Sequence, residues 1–328
     1  MSAAVVQVLE RAALDGSTCV PVDVVGAALR SGGVTDPDAV VREAIESGAV
    51  VGHDDLLGHP HWAAVEKRLA AALRAVAAAG GLTVVSAPRG TAVGSMQSGA
   101  RVIERADLLS LDQAEELTEL PTGEGLVLVG DPAMPPAPGP GAVLTDVVAS
   151  GVATVVDAPV AEAGAPLVEL VRAVRTGVLP TLSADQREVV VTPADDSDQV
   201  LRRVNQLVTD SIPRVIGVDA ADVLVLTVRR DGQTGAEAVR DGLNTAGAGD
   251  VDVTTCIDAV GRAADAIVLV LGAETAGSLT RDLLVGAATE ARRHLSVVHQ
   301  AGPALAEAVA RRPHRPRRTL LPRLLAAP

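Results

Sequence analysis

The chain has 328 residues, 48 % of them apolar, enough for about two domains of ~150 residues with cores of their own. It contains no Phe or Tyr and a single Trp, Trp62. That excludes the aromatic platform on which single-stranded nucleic acid usually stacks, worth ~1–3 kcal/mol per base, and the net charge of −13 opposes non-specific phosphate binding.

Residues 1–60 read as a small helical domain. VVQVLERAAL and VPVDVVGAALRSGG carry apolar residues at helical spacing; DPDAVVREAIESG opens on an Asp cap and stops at Gly48. AVVGHDDLLGHP follows as a short β wing, so a winged-helix-like domain is expected. Such a domain reads DNA or contacts protein. Its third helix sets Arg42 among Asp36, Asp38, Glu43 and Glu46, a poor fit to a phosphate-lined groove. Residues 61–80 form a linking helix stopped by Gly80 and Gly81. His59 and His61 have His-x-His spacing but no further ligand nearby, so a surface turn is expected and no metal.

From Leu82 the pattern alternates strand and helix. LTVVSA, RVIER, LVLVGD and ATVVDA form one series; REVVVTP, ADVLVLTV, VDVTTC, AIVLVLG and LSVVHQ form another. Short apolar runs between helices predict parallel sheets covered on both faces, hence an α/β fold with two lobes, 81–180 (unusually short) and 181–310. The tail 311–328 carries six arginines, and its prolines are expected to break any helix. It reads as a solvated tail or as a contact for nucleic acid or an acidic partner through Arg311, Arg312, Arg315, Arg317 and Arg318. Cys19 and Cys256 fit neither a CxxC site nor a disulfide framework and read as buried small apolar residues. No apolar run reaches the ~18–20 residues of a membrane span, and the charged amphipathic start is no signal peptide, so a soluble cytoplasmic protein is expected.

LVLVGDPAMPPAPGPGAVLTD reads as a strand, a Gly-Asp-Pro turn, a Pro/Gly-rich loop and a helix. It resembles the third motif of RecD-type superfamily 1 DNA helicases, with Met134 where that motif has its sensor Gln. SADQREVVVTPADDSDQVLRRVNQLVTDSIPRVIG with DVLVLTVRRDGQTGAEAVRDGLN is similar to the second motor lobe of that family, and DLLVGAATEARRHLSVVHQAG to its final motif. The order and spacing of these stretches carry the resemblance over most of the chain. It implies a P-loop ATPase-related fold: two RecA-like lobes, the first truncated, behind a winged-helix domain.

The same resemblance locates the chemistry that has gone. The phosphate-loop lysine reaches the β- and γ-phosphates, and the only lysine is Lys67, in the linking helix. Either SAPRGTAVGS is the loop, with Val93 at the lysine position, or it is a later APTGRAA-type motif and the loop is deleted. The Asp-Glu pair that holds Mg²⁺ and activates water becomes Glu104-Arg105, with Asp107 too far along to replace it securely. The arginine after the next strand becomes Ala161, the fifth motif becomes Val260-Gly261-Arg262-Ala263, and the final Thr-Arg becomes Thr289-Glu290. Several kcal/mol of transition-state stabilisation go with each such group. No catalytic residue is expected, and no cofactor: ATP and Mg²⁺ are not turned over.

Gly90, Thr91, Gly130 and Asp131 remain as a vestigial nucleotide site. Gly130, Asp131, Gly139 and Gly141 are expected to build a tight turn with Asp131 capping backbone amides. Asp195, Asp196 and Asp198 are expected to cap a helix, and His294 and His299 to be structural. There is no GxSxG elbow and no HExxH pair. The implied role is a catalytically inactive, structural or regulatory subunit in DNA processing or repair. The implied partner is a protein, such as an active helicase; DNA binding through the winged domain and tail is the alternative, and an active helicase a third reading.

Overall fold

The computed structural model describes residues 2–87, 99–121, 123–134, 137–158, 166–181, 186–311 and 316–327. The chain divides into two compact units, Met1–Val160 with Arg315–Pro328, and Ala161–His314.

The first unit opens with α1 (Ser2–Leu14), β1 (Cys19–Pro21), α2 (Val22–Ser31), α3 (Pro37–Glu46), β2 (Val51–His53) and β3 (Leu56–Gly58). Asp36 caps α3 by accepting from the Ala39 amide at 3.0 Å, with Pro37 in the first turn. The hairpin β2–β3 forms where the wing was expected, turning through Asp54 at φ 51°, a conformation Asp tolerates. β1 was not anticipated: CVP is too short to show alternation, yet it pairs antiparallel with β3 and completes a three-stranded sheet ordered β1-β3-β2. Val5, Leu9, Val25, Leu29, Val40, Ala44 and Leu57 fill the core of this region.

α4 (Pro60–Ala78) leads into β4 (Leu82–Ser86), β5 (Ala100–Ile103), α5 (Leu111–Ala114), β6 (Gly125–Gly130), α6 (Val143–Ser150) and β7 (Thr154–Asp157). Ser110 and Gln113 form a capping box that starts α5. The four strands make an all-parallel sheet ordered β5-β6-β4-β7. Leu82, Val84, Leu126 and Leu128 on one face pack with Leu69 and Leu73 of α4 and with Val143 and Val147 of α6. Without Phe or Tyr the largest fully buried side chains are Leu and Ile, each worth roughly 1.5–3 kcal/mol when removed from water.

The second unit comprises α7 (Pro166–Arg175), β8 (Val189–Pro193), α8 (Ser197–Gln206), α9 (Ile212–Ile216), β9 (Val223–Thr227), α10 (Ala236–Thr245), β10 (Asp252–Thr255), β11 (Ala264–Leu271), α11 (Arg281–Glu290), β12 (Ala291–His299) and α12 (Pro303–Arg311). Its sheet is also all parallel, ordered β10-β9-β11-β12-β8. Each of the nine strands expected after Leu82 forms, and the α/β class with two parallel sheets is as expected. α7 differs from the expected boundary at residue 180: Leu167, Leu170 and Val174 are buried, and the helix packs on α11 and against β12 of the second unit.

The C-terminal segment departs most from expectation. Residues 316–327 are neither a solvated tail nor free of helix. They return to the first unit and end in α13 (Leu321–Ala326), which packs against α4 and α6. Pro322 lies in the first turn of α13, where a missing N–H leaves no bond unmade. Leu321 and Leu325 join the core beneath the parallel sheet.

Candidate functional site

β6 ends at the Gly-Asp-Pro turn, in the middle of the first sheet between β5 and β4. The crevice at the carboxyl ends of parallel strands is where such folds bind ligands. Asp131 is buried and its carboxylate accepts from the Ala133 amide at 3.0 Å, while the Met134 amide bonds the Asp131 carbonyl, also at 3.0 Å. The turn is therefore closed on itself. Gly130 is required by crowding: a Cβ there would lie 2.8 Å from the Asp107 amide nitrogen, 2.9 Å from its Oδ1 and 2.9 Å from Leu144. Sequence spacing set Asp107 aside; folding places its buried side chain directly against Gly130. Met134, at the sensor position, is buried among the apolar residues. Gly90, Thr91, Val93 and Ala161 lie outside the described residues, as do Arg312 and Arg315.

Glu104 and Arg105 follow β5 and are exposed, with Arg105 in the left-handed region at φ 56°. Such a backbone in a non-glycine residue stores strain. The two line an open cleft of about 330 Å³ with Arg101, Leu109 and Glu116, on a strand at the sheet edge. The side chains here are of mixed sign and do not converge on a common point as ligands of one metal would; among the described residues no group of three or more His, Cys, Asp or Glu is placed to hold a metal.

In the second unit, folding brings the fifth and final motif positions together. The Glu290 carboxylate, buried at the end of α11, accepts from the Gly261 amide at 3.1 Å. Arg262 pairs with Asp252. A carboxylate thus stands where the resemblance implies an arginine, and it is engaged in holding a turn. Asp196 caps α8 by accepting from the Gln199 amide at 2.6 Å, and Gln199 Oε1 accepts from the Asp195 amide. His294 lies in β12 with Nδ1 2.7 Å from the Arg187 carbonyl and Nε2 2.7 Å from Ser296 Oγ. The carbonyl can only accept, so Nδ1 carries the proton and Ser296 donates to Nε2. Burial pushes the pKa of His294 and of His299 below the ordinary value. His59 opens α4, and His61 stacks edge-on to Trp62 with ring centroids 4.4 Å apart.

Of the five tail arginines expected to make contact, three are described, one in the second unit and two in the first. Arg311 is exposed at the end of α12 in the second unit. Arg317 is half-buried in the first unit, where it donates to the carbonyls of Gly139 and Gly141 at 2.8 and 2.6 Å. Arg318 is exposed, but its backbone is held: its amide donates to Ser17 Oγ at 3.1 Å and its carbonyl accepts from Thr18 at 2.8 Å. Nothing in the sequence ties Arg317 to the GDP–GPG loop, because 178 positions separate it from Gly139.

Burial also acts on three further groups of the first unit. Desolvation raises Glu66 in α4 to about 7 and Asp146 in α6 to about 8. The Cys19 thiol is pushed up to about 12 by burial and by the neighbouring Glu66, which leaves almost no thiolate near neutrality.

No family model and no curated protein matches the chain. Among solved structures, an arterivirus nonstructural protein 10 (helicase) in complex with DNA is similar, with a TM-score of 0.38 and 15 % identity, over 74 % of this chain and 60 % of that one. A crystal structure of an arterivirus nonstructural protein 10 (helicase) is similar at TM-score 0.36 and 14 % identity, over 76 % of this chain and 69 % of the other. The chain spans about three-fifths of the helicase in the DNA complex.

Proposed function

We propose that this protein is a catalytically inactive homologue of RecD-type superfamily 1 helicases and serves as a structural or regulatory subunit in DNA processing. The reading rests on one observation above the others: charged residues within the motif stretches, retained or replaced, are engaged in structural contacts. Asp131 closes its own turn, Glu290 holds Gly261, and Arg262 pairs with Asp252. A nucleotide site needs such positions to point charge at phosphates and Mg²⁺. Here they satisfy backbone amides and neighbouring side chains instead. The partner is taken to be a DNA-processing protein with an intact phosphate loop. One arginine of the DNA-binding alternative is otherwise engaged, since Arg317 donates to the Gly139 and Gly141 carbonyls.

Purification at native level followed by size-exclusion chromatography tests the reading. The expected result is a stoichiometric complex with a DNA-processing ATPase. Recovery of the chain solely as a monomer that binds DNA tightly would favour the alternative and contradict the subunit role.

A further inference from the structure

Two carboxyls in the first unit are more deeply buried than unpaired acids tolerate. Glu66 is fully buried, and one of its oxygens accepts three bonds: from Thr18 Oγ1 at 2.9 Å and from the amides of Leu320 and Leu321 at 3.0 and 3.3 Å. Its other oxygen is buried with no hydrogen-bond partner. Asp146, 6 % exposed, accepts from the Thr319 hydroxyl and the Ala142 amide, and its Oδ2 is likewise buried and unpartnered. Both acids therefore grip the same short stretch, Thr319 to Leu321, from two different helices.

The rest of that stretch is fastened around them. The Arg318 carbonyl accepts from Thr18 and Cys19, Arg74 of α4 donates to the Ala327 carbonyl at 2.9 Å, and Arg323 bonds Asp55 at 2.6 Å in the β2–β3 turn. Arg317 lies over Gly16, where any Cβ would collide with its guanidinium, and binds Gly139 and Gly141. The Gly141 amide completes the link by donating to the Gly16 carbonyl at 2.9 Å.

We propose that residues 316–327 form a proton-dependent latch, seated when the buried carboxyls of Glu66 and Asp146 are neutral and loosened when they ionise, with the GPG loop released as Arg317 leaves. Burying a carboxylate without full compensation is costly, so the seated state favours the protonated acid. Asp146 faces Glu66 and Arg317, and the Cys19 thiol of β1 faces both acids together with Arg318 and Arg323 of the latch, with Asp54 and Asp55 beyond Arg323. Arg317 favours ionised Asp146, but desolvation and the negative neighbour Glu66 outweigh it. Latch binding is then strongest below the undocked carboxylate range and is lost as pH rises through about 7 for Glu66 and about 8 for Asp146. The device does not depend on the proposed loss of helicase activity.

Hydrogen exchange of the full chain between pH 5 and 8.5, corrected for intrinsic rates, tests it. Protection of the Leu320, Leu321 and Gly141 amides should fall by up to about tenfold per pH unit for each titrating acid. The Glu66→Gln/Asp146→Asn variant, which keeps the accepting oxygens, should show no fall, and β11 amides should stay constant in both proteins. Should the double variant fail to fold, Asp146→Asn alone should reduce the slope to that of Glu66. A latch with pH-independent protection in the wild type, or the same slope in the neutral variants, overturns the proposal.

Discussion

Gly130 and Gly141 bracket the turn after β6 for different physical reasons. Gly130 has no room for a Cβ between Asp107 and Leu144; Gly141 adopts φ 100° and would press a Cβ to 2.9 Å from that of Leu111. Gly130→Ala should cost about 1–3 kcal/mol through overpacking, read as a lower urea midpoint with unchanged slope. A midpoint equal to the wild type would show that Asp107 can yield. Glu66→Ala leaves the amides of Leu320 and Leu321 buried without their acceptor, a loss of about 2–4 kcal/mol on the usual scale for orphaned donors. Glu66→Gln keeps the acceptor and should cost far less. Cys19, buried and with its thiol pushed up to about 12, should resist alkylation at pH 8 until the protein is unfolded by urea. At this scale the sequence revealed capping residues well, since Asp36, Asp131 and Asp196 act within three positions of their partners. It did not reveal Asp107 against Gly130 or Arg317 on Gly139, which depend on contacts far apart in the chain.

Strands were the elements most readily read from sequence. Runs such as LVLVGD and AIVLVLG are apolar on both faces because both faces are buried, and that signal survives without aromatic residues. β1 escaped notice because three residues carry no period, and α13 because its prolines read as breakers when one of them occupies a first turn. The helix α7 precedes the boundary read at residue 180, since its apolar stripe fits any sheet and only packing on α11 shows where it belongs. α13 supplies the clearest test among the elements. Truncation after residue 315 removes Leu321 and Leu325 from the core of the first unit. By area alone that is worth roughly 3–6 kcal/mol, and the first unit should melt earlier in calorimetry while the second is unaffected. Equal melting of truncated and full chains would mean that the segment is peripheral.

For the molecule as a whole, each of the two units carries an all-parallel sheet. The buried acids add a global pH signature. Their seated pKa values lie above those of exposed carboxyls, so their contribution to stability is present in mild acid and declines as pH passes about 7 and then about 8. The melting temperature should therefore be lower at pH 8.5 than at pH 5.5, and the difference should shrink in Glu66→Gln/Asp146→Asn. The proposed loss of catalysis rests on side chains rather than on the fold, and one assay addresses it directly: release of phosphate from Mg-ATP by the purified chain, with and without single-stranded DNA. The account predicts a rate no higher than the protein-free blank in both conditions. Sustained, Mg²⁺-dependent hydrolysis that disappears in Asp131→Ala would contradict it.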